Sequence, residues 1–206
     1  LKPTPWLTER HGYDPTCRNL DSLLRVTREY NIPYDYLICN DGTMIFDHNH
    51  NCLSTVYIPL ECNQQIIRAI EEDDPYVIWY LDTGHGYTND PNLPATKCIV
   101  KLQDREKAKK LLSKIETEIP EIHGYISENW LNLLPSVTNK SKGIKKLLDI
   151  VKKSTNLVDT IGDNANDEAM LKDYHGYVIE HSISSRQLDC PQLESVAKLI
   201  EELKED

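Results

Sequence analysis

The chain has 206 residues, 39% hydrophobic and 27% charged, with 33 Asp and Glu against 23 Lys and Arg. A formal charge of −10 repels nucleic acid unless basic residues are concentrated, and the one basic cluster, residues 140–153, is spread around a helical segment. The longest uncharged apolar runs, such as residues 76–81, are far too short to cross a bilayer. Neither a nucleic-acid nor a membrane partner is expected, and with no basic-then-apolar leader a cytoplasmic location is expected. Six cysteines without CxxC spacing are expected to be reduced. Cys39, Cys52 and Cys98 fall in strand-like stretches and are expected to be buried.

In chain order, Asp14-Pro15 opens a helix, a capping Asp followed by Pro at the first helical position. Leu20, Leu23 and Leu24 share its inner face, and Asn31-Ile32-Pro33 stops it. Residues 34–39 read as a strand, Asn40-Asp41-Gly42 as a tight turn, and 43–46 and 53–58 as two further strands around a polar loop. Asn63 is expected to cap a helix with Ile66, Ile67 and Ile70 facing inward. Residues 76–81 and 97–102 read as strands around a polar loop, 83–95. Asp104 caps a helix striped by Ala108, Leu111, Leu112 and Ile115, and strands follow at 124–127 and 130–134.

The pattern then changes to helix 142–151, strand 157–161, helix 167–171, strand 177–180 and helix 193–203. Such alternation marks a parallel α/β sheet. The two ends of the chain thus read as one α/β core, interrupted by an α+β insertion at about residues 50–133.

Three stretches carry candidate chemistry. Gly162-Asp163-Asn164-Ala165-Asn166-Asp167 follows a strand, at the sheet end where open α/β folds place their sites. Two carboxylates four apart, separated by amides, suit a hard cation such as Mg²⁺. A polar turn capping the next helix reads the same residues equally well. Lys142, at the head of a helix, pairs a mobile cation with free backbone N–H groups, which suits phosphate, although a solvated lysine is the commoner arrangement. Thr8 follows a short apolar stretch and has a hydroxyl to offer a phosphate oxygen. His48 and His50, two apart on a loop, more often face solvent than bind metal.

Taken together, these stretches resemble the haloacid dehalogenase superfamily, and within it the Cof-type phosphatases with an α+β cap of the C2B kind. Residues 162–167 resemble that family's acidic fourth motif, GDGxND or GDNxND, continued by Met170-Leu171. Ser141-Lys142-Gly143 resembles the third motif, and Leu7-Thr8-Glu9-Arg10 the second, with Glu9 in place of a glycine. Residues 36–45 resemble the strand and NG turn that lead from core to cap.

The first motif, DxDGT, has no clear counterpart. Residues 39–43 contain DGT, but Cys39 stands where the nucleophilic Asp belongs, and the segment fits the NG turn better. Only seven residues precede Thr8, so the sequence is expected to begin inside the core domain, without its first strand.

The resemblance implies a Rossmann-like core with a parallel sheet over residues 1–49 and 134–206, and a C2B-like cap over 50–133. It implies Mg²⁺-dependent hydrolysis of small phosphate monoesters, sugar phosphates above all, through an aspartyl-phosphate whose nucleophile is not among these residues. Asp163 and Asp167 would hold the metal, Thr8 and Lys142 would bind phosphate as catalytic groups, and Asn40 and Asn166 would contact substrate. The alternative is a non-catalytic relative that binds a phosphorylated ligand or a partner.

Overall fold

A computed structural model of the chain describes residues 19–182 and 188–203. The chain divides into two compact units, one ending at Asn139 and the other beginning at Lys140. Compactness therefore groups residues 19–49 with the strands that follow them, whereas the sequence reading opened the inserted domain at residue 50.

In the first unit, α1 (Leu20–Glu29) is capped by Asn19, whose Oδ1 accepts from Ser22 N at 3.0 Å. The expected start at Asp14-Pro15 lies outside the described residues. Strands β1 (Tyr36–Cys39), β2 (Met44–Asp47) and β3 (Cys52–Thr55) form an antiparallel sheet. Leu20 and Leu24 of α1 pack with Leu37, Cys39, Met44 and Phe46 in a small core. Cys39 and Cys98 are buried as expected, and burial pushes both thiols up to about 12. Cys52 is exposed, at the open end of β3, the edge strand of this sheet.

The remainder of this unit is a five-stranded antiparallel sheet, in the order β5-β4-β6-β8-β7, backed by two helices. The strands are β4 (Ile78–Asp82), β5 (Tyr87–Thr88), β6 (Lys97–Lys101), β7 (Ile122–Ser127) and β8 (Trp130–Pro135). The helices are α2 (Leu60–Asp73) and α3 (Arg105–Glu118). Strand alternation sends Leu81, Cys98, Val100, Leu131 and Leu133 to the helix side, where they meet Ile66, Ile70, Leu111 and Ile115. Burying such side chains stabilises the fold by roughly 1.5–3 kcal/mol each.

Asp104 caps α3 as expected, accepting from Glu106 N at 2.8 Å. Asn63 does not cap α2: the helix starts earlier, after Pro59, and Asn63 is buried within it, donating to the Leu93 carbonyl at 3.1 Å.

The second unit holds α4 (Lys140–Val151), β9 (Asp159–Gly162), α5 (Glu168–Asp173), β10 (His175–Ile179), β11 (Gln192–Leu193) and α6 (Val196–Glu202). Its three strands run parallel in the order β11-β10-β9. This is the parallel sheet that the strand–helix alternation implies, although β11 is too short to have registered as a strand. Helix α4 starts two residues before the expected Lys142.

Candidate active site

Strand β9 ends at Gly162 and releases the acidic loop, in which Asp167 organises the turn. Its Oδ2 accepts from Asp163 N and Asn164 N, both at 3.1 Å, while Asn164 and Asp167 together form a capping box on the single 3₁₀ turn before α5. Oδ1 accepts from the Lys140 ammonium at 2.5 Å, a charge-assisted bond with Asp167 only 3% exposed.

This arrangement requires glycine at 162. A Cβ there would lie 2.5 Å from Asp167 Cβ and 2.9 Å from its Oδ2, so any side chain would push the carboxylate off the loop. Asp167 thus shapes the turn before α5 without capping α5 itself by its side chain, and both of its oxygens accept from protein donors.

Asp163 is differently placed. It is half-buried, and its Oδ1 accepts from Asn164 Nδ2 at 3.1 Å. Burial, and then the neighbouring Asp167, push its carboxyl above the ordinary aspartate range, with Lys140 and the Asn164 bond pulling back. A partly desolvated carboxylate beside a second one gains from a cation. Among the described residues there is no cluster of three or more His, Cys, Asp or Glu side chains able to hold a metal ion. Mg²⁺, however, commonly takes one or two carboxylates and completes its shell with waters and phosphate. Asp163 fits that use, whereas Asp167 fits support of the loop. Asn166, half-buried, lies in the same loop.

The sequence points to Lys142 as the third-motif lysine; in the structure it is Lys140 that reaches Asp167, and Lys142 is exposed. At about 100° per residue the two point about 200° apart around α4. The sequence does carry a signal for this choice. Counting from Lys140, positions three, four, seven and eight residues on are Gly143, Ile144, Leu147 and Leu148, the inward stripe; counting from Lys142 they are Lys145, Lys146, Asp149 and Ile150, the outer face.

Of the other expected site residues, Thr8 lies outside the described residues. Asn40 belongs to the first unit and is buried. It adopts φ +46°, is followed by Asp41 at +56° and Gly42 at +94°, and donates to Thr96 Oγ1 at 3.0 Å. The turn is thus three consecutive left-handed residues, of the types that tolerate that region best. His48 and His50 are exposed, and His50 Nε2 meets the Tyr34 hydroxyl at 2.9 Å.

The sequence reading missed a second charged constellation in the first unit. Asp41 accepts from Lys97 Nζ at 3.3 Å and from the Tyr125 hydroxyl at 3.1 and 3.2 Å, with Lys97 and Asp41 almost wholly buried. Lys97 on β6 and Tyr125 on β7 lie on the sheet face opposite α2 and α3, as does Asp82, the register partner of Lys97.

Residues 85–185 match the family model of haloacid dehalogenase-like hydrolases. Over those residues, just under half of the chain, the sequence resembles the haloacid dehalogenase-like hydrolases. No curated protein sequence matches it.

Among solved structures, a haloacid dehalogenase-like hydrolase from Bacteroides thetaiotaomicron superposes with a TM-score of 0.75 at 18% identity, over 90% of this chain and 84% of that one. BT1666 from Bacteroides thetaiotaomicron, described among phosphatases of the same superfamily, gives 0.73 at 15% identity, over 91% of this chain and 78% of that one. BT4131, described as a subclass IIB sugar phosphatase, gives 0.71 at 13% identity, over 90% and 81%. At these identities the structures are evidence of a shared fold.

Proposed function

We propose that this hydrolase is a phosphatase that uses Mg²⁺ and acts on small phosphate monoesters, sugar phosphates foremost. The observation that carries the reading is the joining of a lysine at a helix start to an acidic strand-end loop through one buried carboxylate, Asp167. The sugar phosphatase among its structural relatives supports the choice of substrate class.

Asp163 would hold the metal ion, which when bound offsets the repulsion between a carboxylate and a phosphate dianion. Lys140 would take the role first given to Lys142, binding phosphate oxygens and stabilising the charge that develops on them. Asp167 would aim the Lys140 ammonium and keep the loop in shape, and Asn166 would lie at its edge. Thr8 would donate its hydroxyl to a phosphate oxygen. The attack itself falls to the first-motif aspartate that the family resemblance implies.

The test is release of phosphate from a panel of sugar phosphates by the intact protein, with Mg²⁺ or with EDTA. Release is expected with Mg²⁺ alone, and Asp163→Asn is expected to abolish it. Full activity in that variant would overturn the site. Saturable binding of inorganic phosphate without turnover of any ester would favour the non-catalytic reading.

A further inference from the structure

Helix α5 is only six residues long, yet both of its ends are fastened to consecutive residues of α4. At its leading end, Asp167 takes the Lys140 ammonium. At its trailing end, Asp173 Oδ2 accepts the Ser141 hydroxyl at 2.5 Å, and the Tyr174 hydroxyl donates to the Ser141 carbonyl at 3.0 Å. Ser141 itself is buried.

The trailing end is also tied to the sheet that carries the acidic loop. Thr160 Oγ1 on β9 donates to the Met170 carbonyl at 3.2 Å. Where the chain turns into β10, a Cβ at Gly176 would lie 2.1 Å from the Leu171 carbonyl oxygen, so only glycine permits so close a return. Residues 140 and 141 are thus held to the same strand that delivers Asp163.

We infer that Asp173 and Tyr174 are positioning residues, which fix the start of α4 so that the Lys140 ammonium meets a bound phosphoryl group at a set place. The inference rests on the reading of Lys140 as the phosphate-binding lysine. A lysine has a flexible four-carbon stem, and ordering it costs side-chain entropy that a fixed backbone helps to limit. The first turn of a helix is also its least secured part, since its N–H groups lack intrahelical partners and its end frays. Asp167 holds the tip of the lysine; Asp173 and Tyr174 hold the main chain one residue along. Loss of the trailing bonds would leave the Lys140–Asp167 pair able to form, but free to form in more than one place.

Calorimetric titration of the full protein with inorganic phosphate in the presence of Mg²⁺ tests this, with thermal midpoints recorded for every variant. Lys140→Ala is expected to remove saturable binding. Tyr174→Phe and Asp173→Ala are each expected to weaken it about threefold to tenfold, the scale of one lost hydrogen bond. Asp173→Asn keeps an acceptor for the Ser141 hydroxyl and is expected to stay within about twofold of wild type. That rescue is a result that general loosening of the helix would not give.

Unchanged phosphate affinity in Lys140→Ala would overturn the underlying site. A loss in Lys140→Ala with unchanged affinity in both Tyr174→Phe and Asp173→Ala would overturn the positioning role alone. If Asp173→Asn falls as far as Asp173→Ala, the carboxylate acts by its charge and the positioning role for Asp173 is wrong.

Discussion

The acidic loop of the second unit and the polar face of the sheet in the first solve the same problem in different ways. Both bury carboxylates away from water. In the loop, Asp167 finds two backbone donors within four residues and one lysine on the adjoining helix. On the sheet face, Asp41 draws on Lys97 and Tyr125, 56 and 84 residues distant, and the surroundings are not fully matched. Asn40 Oδ1, Asp82 Oδ2 and Asn132 Oδ1 are buried without a hydrogen-bond partner. Unmatched buried polar atoms cost about 1–3 kcal/mol each. The contrast is between a short-range motif that satisfies itself and a long-range cluster that carries a stability cost, so the two should respond differently to loss of one member.

The largest effect is expected from breaking the long-range pair. Lys97→Met leaves the buried Asp41 carboxylate without this cation, and is expected to destabilise the protein by about 3–5 kcal/mol. Adding Asp41→Asn to it should recover much of that loss, because removing both charges is far cheaper than stranding one. Urea unfolding of the single and double variants measures this. Equal losses in both would show that packing of the lysine stem, rather than charge, holds the turn.

A smaller effect concerns Asp82. Burial raises its carboxyl above the ordinary range, with the Gly84 N–H, Asn40 and Lys97 pulling back. A folded-state value above the unfolded one means that the folded chain holds the proton more tightly. The contribution to stability is complete below the unfolded value near pH 4 and is lost as pH rises through the folded value. Asp82→Asn should therefore be the more stable protein at neutral pH, and its denaturation midpoint should decline less between pH 4 and 8. Parallel pH profiles for the two proteins would place the charge elsewhere in the cluster.

The same contrast explains what the sequence could disclose. The 162–167 run was legible because its chemistry is local: Gly162, Asp163, Asn164 and Asp167 interact among themselves. The parallel sheet was legible through its alternation of strands and helices. The cluster of Asp41, Lys97 and Tyr125 was not, since nothing in three separated segments says that a turn and two strands will meet. Lys140 lies between these cases. The motif spacing drew attention to the lysine directly before Gly143, while the helical stripe that ends in Leu147 and Leu148 favoured the one two residues earlier. Asn63 shows the converse failure, a residue of capping type whose amide was needed by the Leu93 carbonyl in a loop 30 residues away.

The claim at the centre of this account is that Lys140, held by Asp167, is the cation that meets phosphate. Phosphate release from the best sugar phosphate should be compared in Lys140→Ala and Lys142→Ala under saturating Mg²⁺. Loss of an electrostatic stabiliser of this kind typically costs about 10²–10³ in kcat, and that loss is expected for Lys140→Ala, with Lys142→Ala within about threefold of wild type. The reverse order, a collapse in Lys142→Ala and a mild effect in Lys140→Ala, would contradict it.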